Sequence, residues 1–261
     1  MTPSLIHAAL DNEVLVITLQ RPDKLNALSS RLIAALMDAL AAAEVDDAVA
    51  ALVITGSGRA FSAGADIAEF KSAIDAGPAH AIRDFVRPGQ ELTRRIESFR
   101  KPIIAAVNGL AYGGGCEIVE ATHLAVAATT ATFSKAEINI GIIPVFGGTQ
   151  RLPRHVGRKI ALEMILTGEA IDAAEAQARG LINRVVQPER VVAEAVALGA
   201  TIARKSRSAV SAALGSVQRG LNASIDEGLL IEAMHFEVVS ASREAREGVA
   251  RFVQRSSNRH G

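Results

Sequence analysis

The sequence predicts an α/β fold in which a strand-containing core is followed by a helical C-terminal region. Short runs of consecutive apolar residues, typical of strands buried on both faces, recur through the first half of the chain. Segments with helical periodicity alternate with these runs, and beyond Arg158 helical periods dominate. We therefore predict an α/β core over residues 1–190 and a helical region over residues 191–261.

The strands and helices can be assigned in order along the chain. Apolar and β-branched residues over Glu13–Leu19 predict a strand, which Arg21-Pro22-Asp23 breaks. A helix follows, with Ser29 or Ser30 as its N-cap and an apolar face at helical spacing. Further buried strands are predicted over Val49–Thr55, Ile103–Val107 and Leu124–Ala128. Later helices are predicted over Ile160–Leu166, Ala173–Arg179, Val191–Lys205, Ser208–Arg219, Ile225–Val239 and Arg243–Val253.

The composition of the 261 residues excludes several classes of protein. An apolar content of 49% does not fit a disordered chain. The 28 basic and 28 acidic residues cancel, which argues against bulk electrostatic capture of a nucleic acid or a membrane. The single cysteine, Cys116, cannot form an internal disulfide, so a reducing compartment such as the cytoplasm is expected.

Membrane, export and metal signals are also missing from the sequence. The most apolar stretch, Pro102–Cys116, is too short for a membrane helix, and no signal peptide is visible over Met1–Asp11. The 6 histidines show no metal-ligand spacing, and Cys116 has no second cysteine as a partner. We therefore expect neither a membrane segment nor a metal site.

Glycine is distributed unevenly along the chain. Ten of the 21 glycines lie in three windows, at residues 56–64, 109–115 and 141–148. Glycine permits unusual backbone dihedrals and a close approach of the backbone to a ligand, but it also serves in tight turns and dense packing. Three such windows beside acidic or small residues favour a ligand site.

The segment Gly113-Gly114-Gly115-Cys116-Glu117 places a glycine run at the predicted start of a helix. Unpaired backbone N–H groups at a helix start suit an anion, either a phosphate or a developing oxyanion. The spacing is not that of a dinucleotide-binding fingerprint, and the sequence contains neither a Walker loop nor a G-x-S-x-G serine motif. The segment therefore predicts an anion site of another kind.

Three glutamates near this segment are candidates for chemistry. Glu117 lies among Cys, Ile and Val, which predicts burial and a perturbed pKa, and Glu137 follows 20 residues later in an alternating segment. Both could instead be solvated or paired with a basic side chain. Glu120 shares a helical face with Glu117, so it either tunes Glu117 or faces solvent.

Several longer motifs together resemble the crotonase superfamily, and most closely its enoyl-CoA hydratases. The resemblance extends over essentially the whole chain. The motifs, in the family's order, are Arg21-Pro22 with Asn26-Ala27-Leu28, Ala60–Ile67, Lys101–Gly109, Gly113–Glu117, Ile143-Pro144 with Gly147–Leu152, and Leu166-Thr167-Gly168 with Ala176 and Gly180-Leu181.

This resemblance implies a fold, an assembly and a reaction. The implied fold is a spiral of ββα units followed by a helical C-terminal region, in subunits that form homotrimers or homohexamers. The implied substrate is an acyl-CoA thioester whose enolate is stabilised, with coenzyme A entering as part of the substrate and no separate cofactor. By position, the N–H groups of Ala65 and Gly114 would form the oxyanion hole, and Glu117 and Glu137 would be the two catalytic carboxylates.

The resemblance also assigns binding residues. Ala63, Asp66 and Ile67 would lie by the adenine, Lys24 and Leu25 near the pantetheine or phosphates, and Gly113 beside the oxyanion hole. The charge is −3 over residues 1–100, zero over 101–200 and +3 over 201–261. Since the family's C-terminal region can bind CoA phosphates across a subunit boundary, Arg255 with its neighbours Arg251 and Arg259 is a candidate contact.

The sequence departs from the hydratase pattern in four places. Val145-Phe146 replaces small residues, so that Phe146 is expected to narrow or reshape the acyl pocket. Ser134-Lys135-Ala136 replaces the commoner Gly-Gln-Pro, His123 stands where Asp is usual, and Glu120 stands where an apolar residue is common. We expect these departures to affect substrate identity, and to a lesser extent the type of reaction, and to leave the CoA and enolate sites unchanged.

Hydration of a 2-enoyl-CoA is the function that the sequence favours. An enoyl-CoA isomerase, or another dehydratase or lyase using the same enolate, is the alternative within the family, but an isomerase needs only one well-placed carboxylate. A non-catalytic acyl-CoA-binding or RNA-binding member is a different class of alternative. The presence of both Glu117 and Glu137, with zero net charge, argues against it.

Overall fold

A computed structural model describes residues 4–257, with side chains described to residue 254. Its strands are β1 Ile6–Asp11, β2 Val14–Leu19, β3 Ala51–Gly56, β4 Ala60–Ser62, β5 Ile103–Val107, β6 Leu110–Tyr112, β7 Leu124–Ala128, β8 Thr132–Ser134, β9 Ile171–Asp172 and β10 Arg184–Val186. Its α-helices are α1 Ser30–Val45, α2 Ile67–Asp75, α3 Pro78–Ala81, α4 Arg87–Glu97, α5 Gly114–Ala121, α6 Gly148–Val156, α7 Arg158–Thr167, α8 Ala173–Ala178, α9 Val191–Ala203, α10 Arg207–Gly220, α11 Ile225–Ser240 and α12 Arg243–Ser257. A π-helical turn, Ile82–Val86, joins α3 to α4, and 3₁₀ turns cover Pro22–Lys24, Ala136–Ile140 and Pro188–Arg190.

The strands form two sheets that the chain visits in turn. The larger sheet has the order β1-β2-β3-β5-β7-β10 and is parallel except for the β1–β2 hairpin. The smaller sheet has the order β4-β6-β8-β9, with β9 antiparallel to β8. Each of the pairs β3–β4, β5–β6 and β7–β8 adds one strand to each sheet before the next helix. This arrangement confirms the predicted spiral of ββα units.

The central strands β3, β5 and β7 of the larger sheet are buried on both faces, which explains their uninterrupted apolar runs. In β3, Leu52 faces the main core, whereas its neighbour Val53 faces a second cluster. That second cluster is covered by Val191 and Ala195 of α9. The first helix beyond residue 190 therefore packs directly on the sheet of the preceding region.

The bounds of β5 and β7 are the predicted ones, and Ser29 is the N-cap of α1, accepting a hydrogen bond from the N–H of Leu32 at 3.2 Å. The hairpin strand β1 was absent from the prediction because five of its six residues are exposed and carry no buried face. Its turn is made by Asn12 and Glu13, both with positive φ, so Glu13 lies in the turn and not in the predicted strand.

The last helices present many apolar side chains to solvent. More than half of the surface of Leu230, Met234 and Phe236 in α11, and of Val249 and Phe252 in α12, is exposed. Exposed apolar surface of this extent is typical of a surface that another molecule covers. Within residues 4–257, no helix is both long and apolar enough to span a bilayer.

The close contact between α5 and β4 predicts an effect of mutation in α5. A Cβ atom on Gly115 would lie 2.3 Å from the carbonyl oxygen of Ser62, which is backbone and cannot rotate away. We expect Gly115→Ala to lower the free energy of unfolding by about 1–3 kcal/mol in urea titrations. Gly248→Ala, in a helical position with nothing within 4 Å, is the control and should have a neutral or stabilising effect of up to about 1 kcal/mol. Equal stability of the Gly115 variant and the wild type would contradict the packing.

Candidate active site

The site begins where the loop after β4 meets the start of α5. Gly64 has a φ of +89°, and a Cβ on it would lie 2.7 Å from the carbonyl oxygen of Tyr112 and 2.9 Å from the nitrogen of Gly114. Only glycine permits this approach, which sets the N–H of Ala65 near the N–H of Gly114. Neither of these N–H groups donates a hydrogen bond within the described chain. Two unpaired donors are thus available to an oxygen atom that gains negative charge.

A cavity of about 160 Å³ lies in front of these two N–H groups. Four of its lining residues are the predicted catalytic ones, Ala65, Gly114, Glu117 and Glu137. Five more are the predicted binding residues Ala63, Ile67, Gly113, Val145 and Phe146. Residues from three separate glycine-containing windows and their neighbours therefore meet around one space.

Glu117 is held in place by backbone donors from a distant loop. Its side chain is buried on the first helical turn of α5, and its Oε1 accepts hydrogen bonds from the N–H groups of Phe146 at 2.8 Å and Gly148 at 2.7 Å. Two N–H donors on one oxygen fix the orientation of the carboxyl group. Neither of these two hydrogen bonds involves the second carboxyl oxygen, Oε2.

The loop that supplies those donors is itself anchored by polar groups. The carbonyl oxygen of Phe146 accepts hydrogen bonds from the hydroxyl of Thr93 at 2.5 Å and from Nη1 of Arg151 at 3.1 Å. Nη2 of Arg151 is paired with Glu97 at 2.8 Å. Thr93 and Arg151 thus position Glu117 through the backbone of Phe146.

Glu137, unlike Glu117, has no hydrogen-bond donor to its carboxyl group among the described residues. Both of its carboxyl oxygens are buried without a hydrogen-bond partner in the described chain. Burial raises the pKa of Glu137 to about 7; the nearby ammonium of Lys135 opposes the rise, and the charge of Glu117 adds to it. A Cβ on Gly113 would lie 3.4 Å from Oε1 of Glu137, so the carboxyl group reaches the glycine beside the two free N–H groups. Near neutral pH, Glu137 can therefore hold or release a proton.

Three comparisons relate this geometry to known proteins. A sequence profile of the enoyl-CoA hydratase/isomerase family matches residues 9–260. A crotonyl-CoA hydratase of Syntrophomonas wolfei is 40% identical, over 94% of this chain and 93% of its own length. A 2,3-dehydroadipyl-CoA hydratase of Escherichia coli is 38% identical, over 93% of this chain and 92% of its own. The solved structure of an enoyl-CoA hydratase from Bacillus anthracis matches with a TM-score of 0.90 at 32% identity, covering 97% of each chain.

The chain belongs to the enoyl-CoA hydratase/isomerase family. This membership confirms the resemblance that the motifs predicted.

Three predicted binding residues of this family member, Lys24, Leu25 and Asp66, do not line the cavity. Lys24 is exposed at the end of a 3₁₀ turn, and the carbonyl oxygen of Leu25 accepts a hydrogen bond from the N–H of Ala63 at 2.9 Å. Asp66 caps α2 and pairs with Arg21 at 2.8 Å. Burial acts to raise the pKa of Asp66, but the hydrogen bond from Arg21 and bonds from backbone N–H groups outweigh it and lower that pKa. The side chain of Arg255, like all of Arg259, lies outside the described residues.

Phe146 closes one end of the cavity. Its ring occupies the space that a side chain at Gly89 would fill, since a Cβ there would lie 2.0 Å from the ring. The ring centroid of Phe146 is 5.2 Å from that of Phe85, which is 4.6 Å from that of Phe70. Three aromatic rings therefore form a continuous wall, as expected for a phenylalanine that reshapes the pocket.

Two of the departures from the hydratase pattern are buried beside Glu117. Glu120 is paired with Lys135 at 2.5 Å, and neither side chain has any exposed surface, so the alternative that Glu120 faces solvent is wrong. The Nζ of Lys135 and the Oε1 of Glu117 lie 2.5 Å and 2.9 Å from the point where a Cβ on Gly148 would be.

His123 and Cys116 do not line the cavity. The Nδ1 of His123 accepts a hydrogen bond from the N–H of Ile103 at 2.8 Å, and burial lowers the pKa of this imidazole to about 4. Cys116 is buried, and burial raises the pKa of its thiol. Among the described residues, no three His, Cys, Asp or Glu side chains are grouped so that they could hold a metal ion.

The raised pKa of Glu137 predicts how stability depends on pH. Between the ordinary glutamate pKa of 4.5 and about 7, the folded protein binds a proton that the unfolded chain has lost, so this group's stabilisation falls as the pH rises. Glu137→Gln cannot ionise, and we expect it to raise the free energy of unfolding by about 1–3 kcal/mol at pH 8 and to change it little at pH 4. Urea titrations at both pH values measure the difference. Glu232→Gln, at an exposed position, is the control; a Glu137 effect that is equal at both pH values would contradict the burial argument.

Proposed function

We propose that this protein is an enoyl-CoA hydratase that adds water across the 2,3 double bond of a 2-enoyl-CoA thioester. The observation that carries the proposal is that two glutamates in different environments share one cavity with two unpaired N–H groups. Glu117 is anchored by two backbone donors, whereas Glu137 has no donor and a raised pKa. Addition of water requires one base and one acid, and this difference supplies both.

The reaction follows from the placement of these groups. The thioester oxygen accepts hydrogen bonds from the N–H groups of Ala65 and Gly114, which stabilise it most as negative charge develops. Glu117 takes a proton from the water whose oxygen adds to the β-carbon. Glu137 delivers its proton to the α-carbon as the enolate collapses. Glu117 gains a proton and Glu137 loses one, and a proton transfer through the product or solvent restores both.

The relatives with known names support a CoA thioester as substrate, since both curated relatives compared above are hydratases of such thioesters. We infer that Lys24, Leu25 and Asp66 line the path of the CoA moiety outside the cavity and that Ala63 and Ile67 line its continuation into the cavity, with Arg255 a further candidate contact. We also infer that the protein needs no resident cofactor, because base, acid and oxyanion donors all come from the chain. A cytoplasmic location follows as a proposal from the single cysteine.

The apolar side chains exposed on α11 and α12 support an oligomer. Leu230, Met234 and Phe236 in α11 would be costly to leave in water. We infer that these helices pack against other copies of the chain, in a homotrimer or homohexamer as the family resemblance implies.

Absorbance of the conjugated thioester measures the proposed reaction directly. We expect wild type to hydrate crotonyl-CoA at neutral pH, and Glu117→Gln and Glu137→Gln each to lose about 100- to 10,000-fold in kcat. A 3-enoyl-CoA is included to detect isomerisation. Inactivity of the wild type on short, branched and aromatic 2-enoyl-CoAs alike would refute hydration, and near-full activity of Glu117→Gln would refute the two-carboxylate assignment.

The aromatic wall predicts a preference for short acyl chains. Phe146 ends the cavity beside Phe85, so we expect a higher kcat/KM for crotonyl-CoA than for decenoyl-CoA. Phe146→Ala should shift the ratio of the two kcat/KM values toward the longer chain by about tenfold or more. Phe99→Ala, a buried phenylalanine outside the cavity, is the control and should lower stability with no change in the ratio. An unchanged ratio in the Phe146 variant would show that this wall does not limit the acyl chain.

A further inference from the structure

The ion pair between Glu120 and Lys135 is the most deeply buried of the described ion pairs. Its atoms are 2.5 Å apart, and both side chains have no exposed surface, whereas each other described pair includes side chains with at least 13% exposure. Apart from their ion pair, neither the Glu120 oxygens nor the Lys135 ammonium has a hydrogen-bond partner in the described chain. A buried pair with so few further partners is weak support for stability alone.

The position of the pair connects it with both catalytic candidates. Glu120 lies one turn after Glu117 on α5, and Lys135 immediately precedes the 3₁₀ turn that carries Glu137. Gly148 leaves the space in which the Lys135 ammonium approaches Oε1 of Glu117. The carbonyl oxygen of Ser134, next to Lys135, accepts the N–H of Gly113 at 2.9 Å.

The buried cluster contains more acidic than basic groups. Glu117, Glu120 and Glu137 contribute three carboxyl groups, and Lys135 contributes one ammonium. Burial is the main cause of the raised pKa of Glu137. The Lys135 charge acts to lower this pKa, and the charges of Glu117 and Glu120 act to raise it. The other titratable groups that face the pair are the Cys116 thiol and the His155 ring, which contacts the backbone oxygen of Glu120 at 2.9 Å. Arg151 is directed to the carbonyl oxygen of Phe146 and to Glu97.

We propose that Glu120 and Lys135 are positioning residues that set whether Glu137 carries its proton when water adds. The ammonium of Lys135 acts to remove the proton from Glu137, and its partner Glu120 cancels enough of that charge for Glu137 to keep the proton. This inference rests on the proposed hydratase function for its kinetic consequence. Its electrostatic consequence, the protonation of Glu137, is measurable without substrate.

The two charges predict opposite effects of single substitutions. In the hydration direction, activity is lost on the alkaline side as Glu137 ionises. Glu120→Gln leaves the ammonium less cancelled, so the alkaline limb of the kcat/KM profile should move to lower pH by about one unit. Lys135→Gln removes the positive charge, so the alkaline limb should move to higher pH by about one unit. The double variant keeps the net charge of the wild type and should return the alkaline limb close to its original position.

The experiment measures the pH dependence of kcat/KM for crotonyl-CoA in the three variants and, in parallel, the titration of the Glu137 carboxyl by carbon-13 NMR. The Glu137 resonance is assigned by its loss in Glu137→Gln. Gln at both positions retains a polar group for its neighbour, and the double variant removes the buried charge altogether, which limits misfolding. Glu44→Gln is the matched control, because Glu44 pairs with Arg95 at 2.6 Å away from the cavity.

Opposite shifts of the Glu137 titration in the single variants, and cancellation in the double variant, would support the inference. Shifts in the same direction, or titrations unchanged within about 0.3 pH units while only stability falls, would overturn it and leave the pair a structural element. The NMR titration does not depend on turnover. Opposite NMR shifts in a protein that fails to hydrate any enoyl-CoA would therefore refute the proposed function and retain the role of the pair.

Discussion

The hydrogen bonds from the N–H groups of Phe146 and Gly148 to Glu117 are the interaction on which the site depends. They join α5, which begins with the glycine run, to a loop about 30 residues later in the chain. Thr93 and Arg151 hold the same loop from the other side through the carbonyl oxygen of Phe146. Because Phe146 also lines the cavity, one residue links the orientation of Glu117 to the shape of the cavity.

The site works through a difference between two chemically identical side chains. Glu117 receives two donors and Glu137 receives none, so burial acts on them with different results. The buried Glu120–Lys135 pair adds a second, adjustable contribution to that difference. Backbone donors are fixed by the fold, whereas the ion pair depends on two side chains. The pair is thus the part of this electrostatic environment that substitution can change without altering the spiral.

The sequence predicted those parts of the structure that have a local signal. The strands β5 and β7 are uninterrupted apolar runs and were placed within their observed bounds, and the glycine windows marked loops that approach one another. The edge strand β1 was missed because an exposed strand need not alternate. The donors to Glu117 are backbone N–H groups, whose position cannot be read from the residue types in the sequence. Lysine is normally a surface residue, so only the fold shows that Lys135 is buried against Glu120.

The central claim is that Glu137, and not Glu117, is the cavity glutamate whose raised pKa keeps a proton on it in the free enzyme just below neutral pH. Infrared difference spectroscopy of the free protein at pH 6 measures it most directly, because a protonated carboxyl group has a C=O stretch well separated from that of a carboxylate. The account predicts a protonated-carboxyl band that disappears in Glu137→Gln and persists in Glu117→Gln. A band that disappears in Glu117→Gln and persists in Glu137→Gln, or no band assignable to either residue, would contradict it.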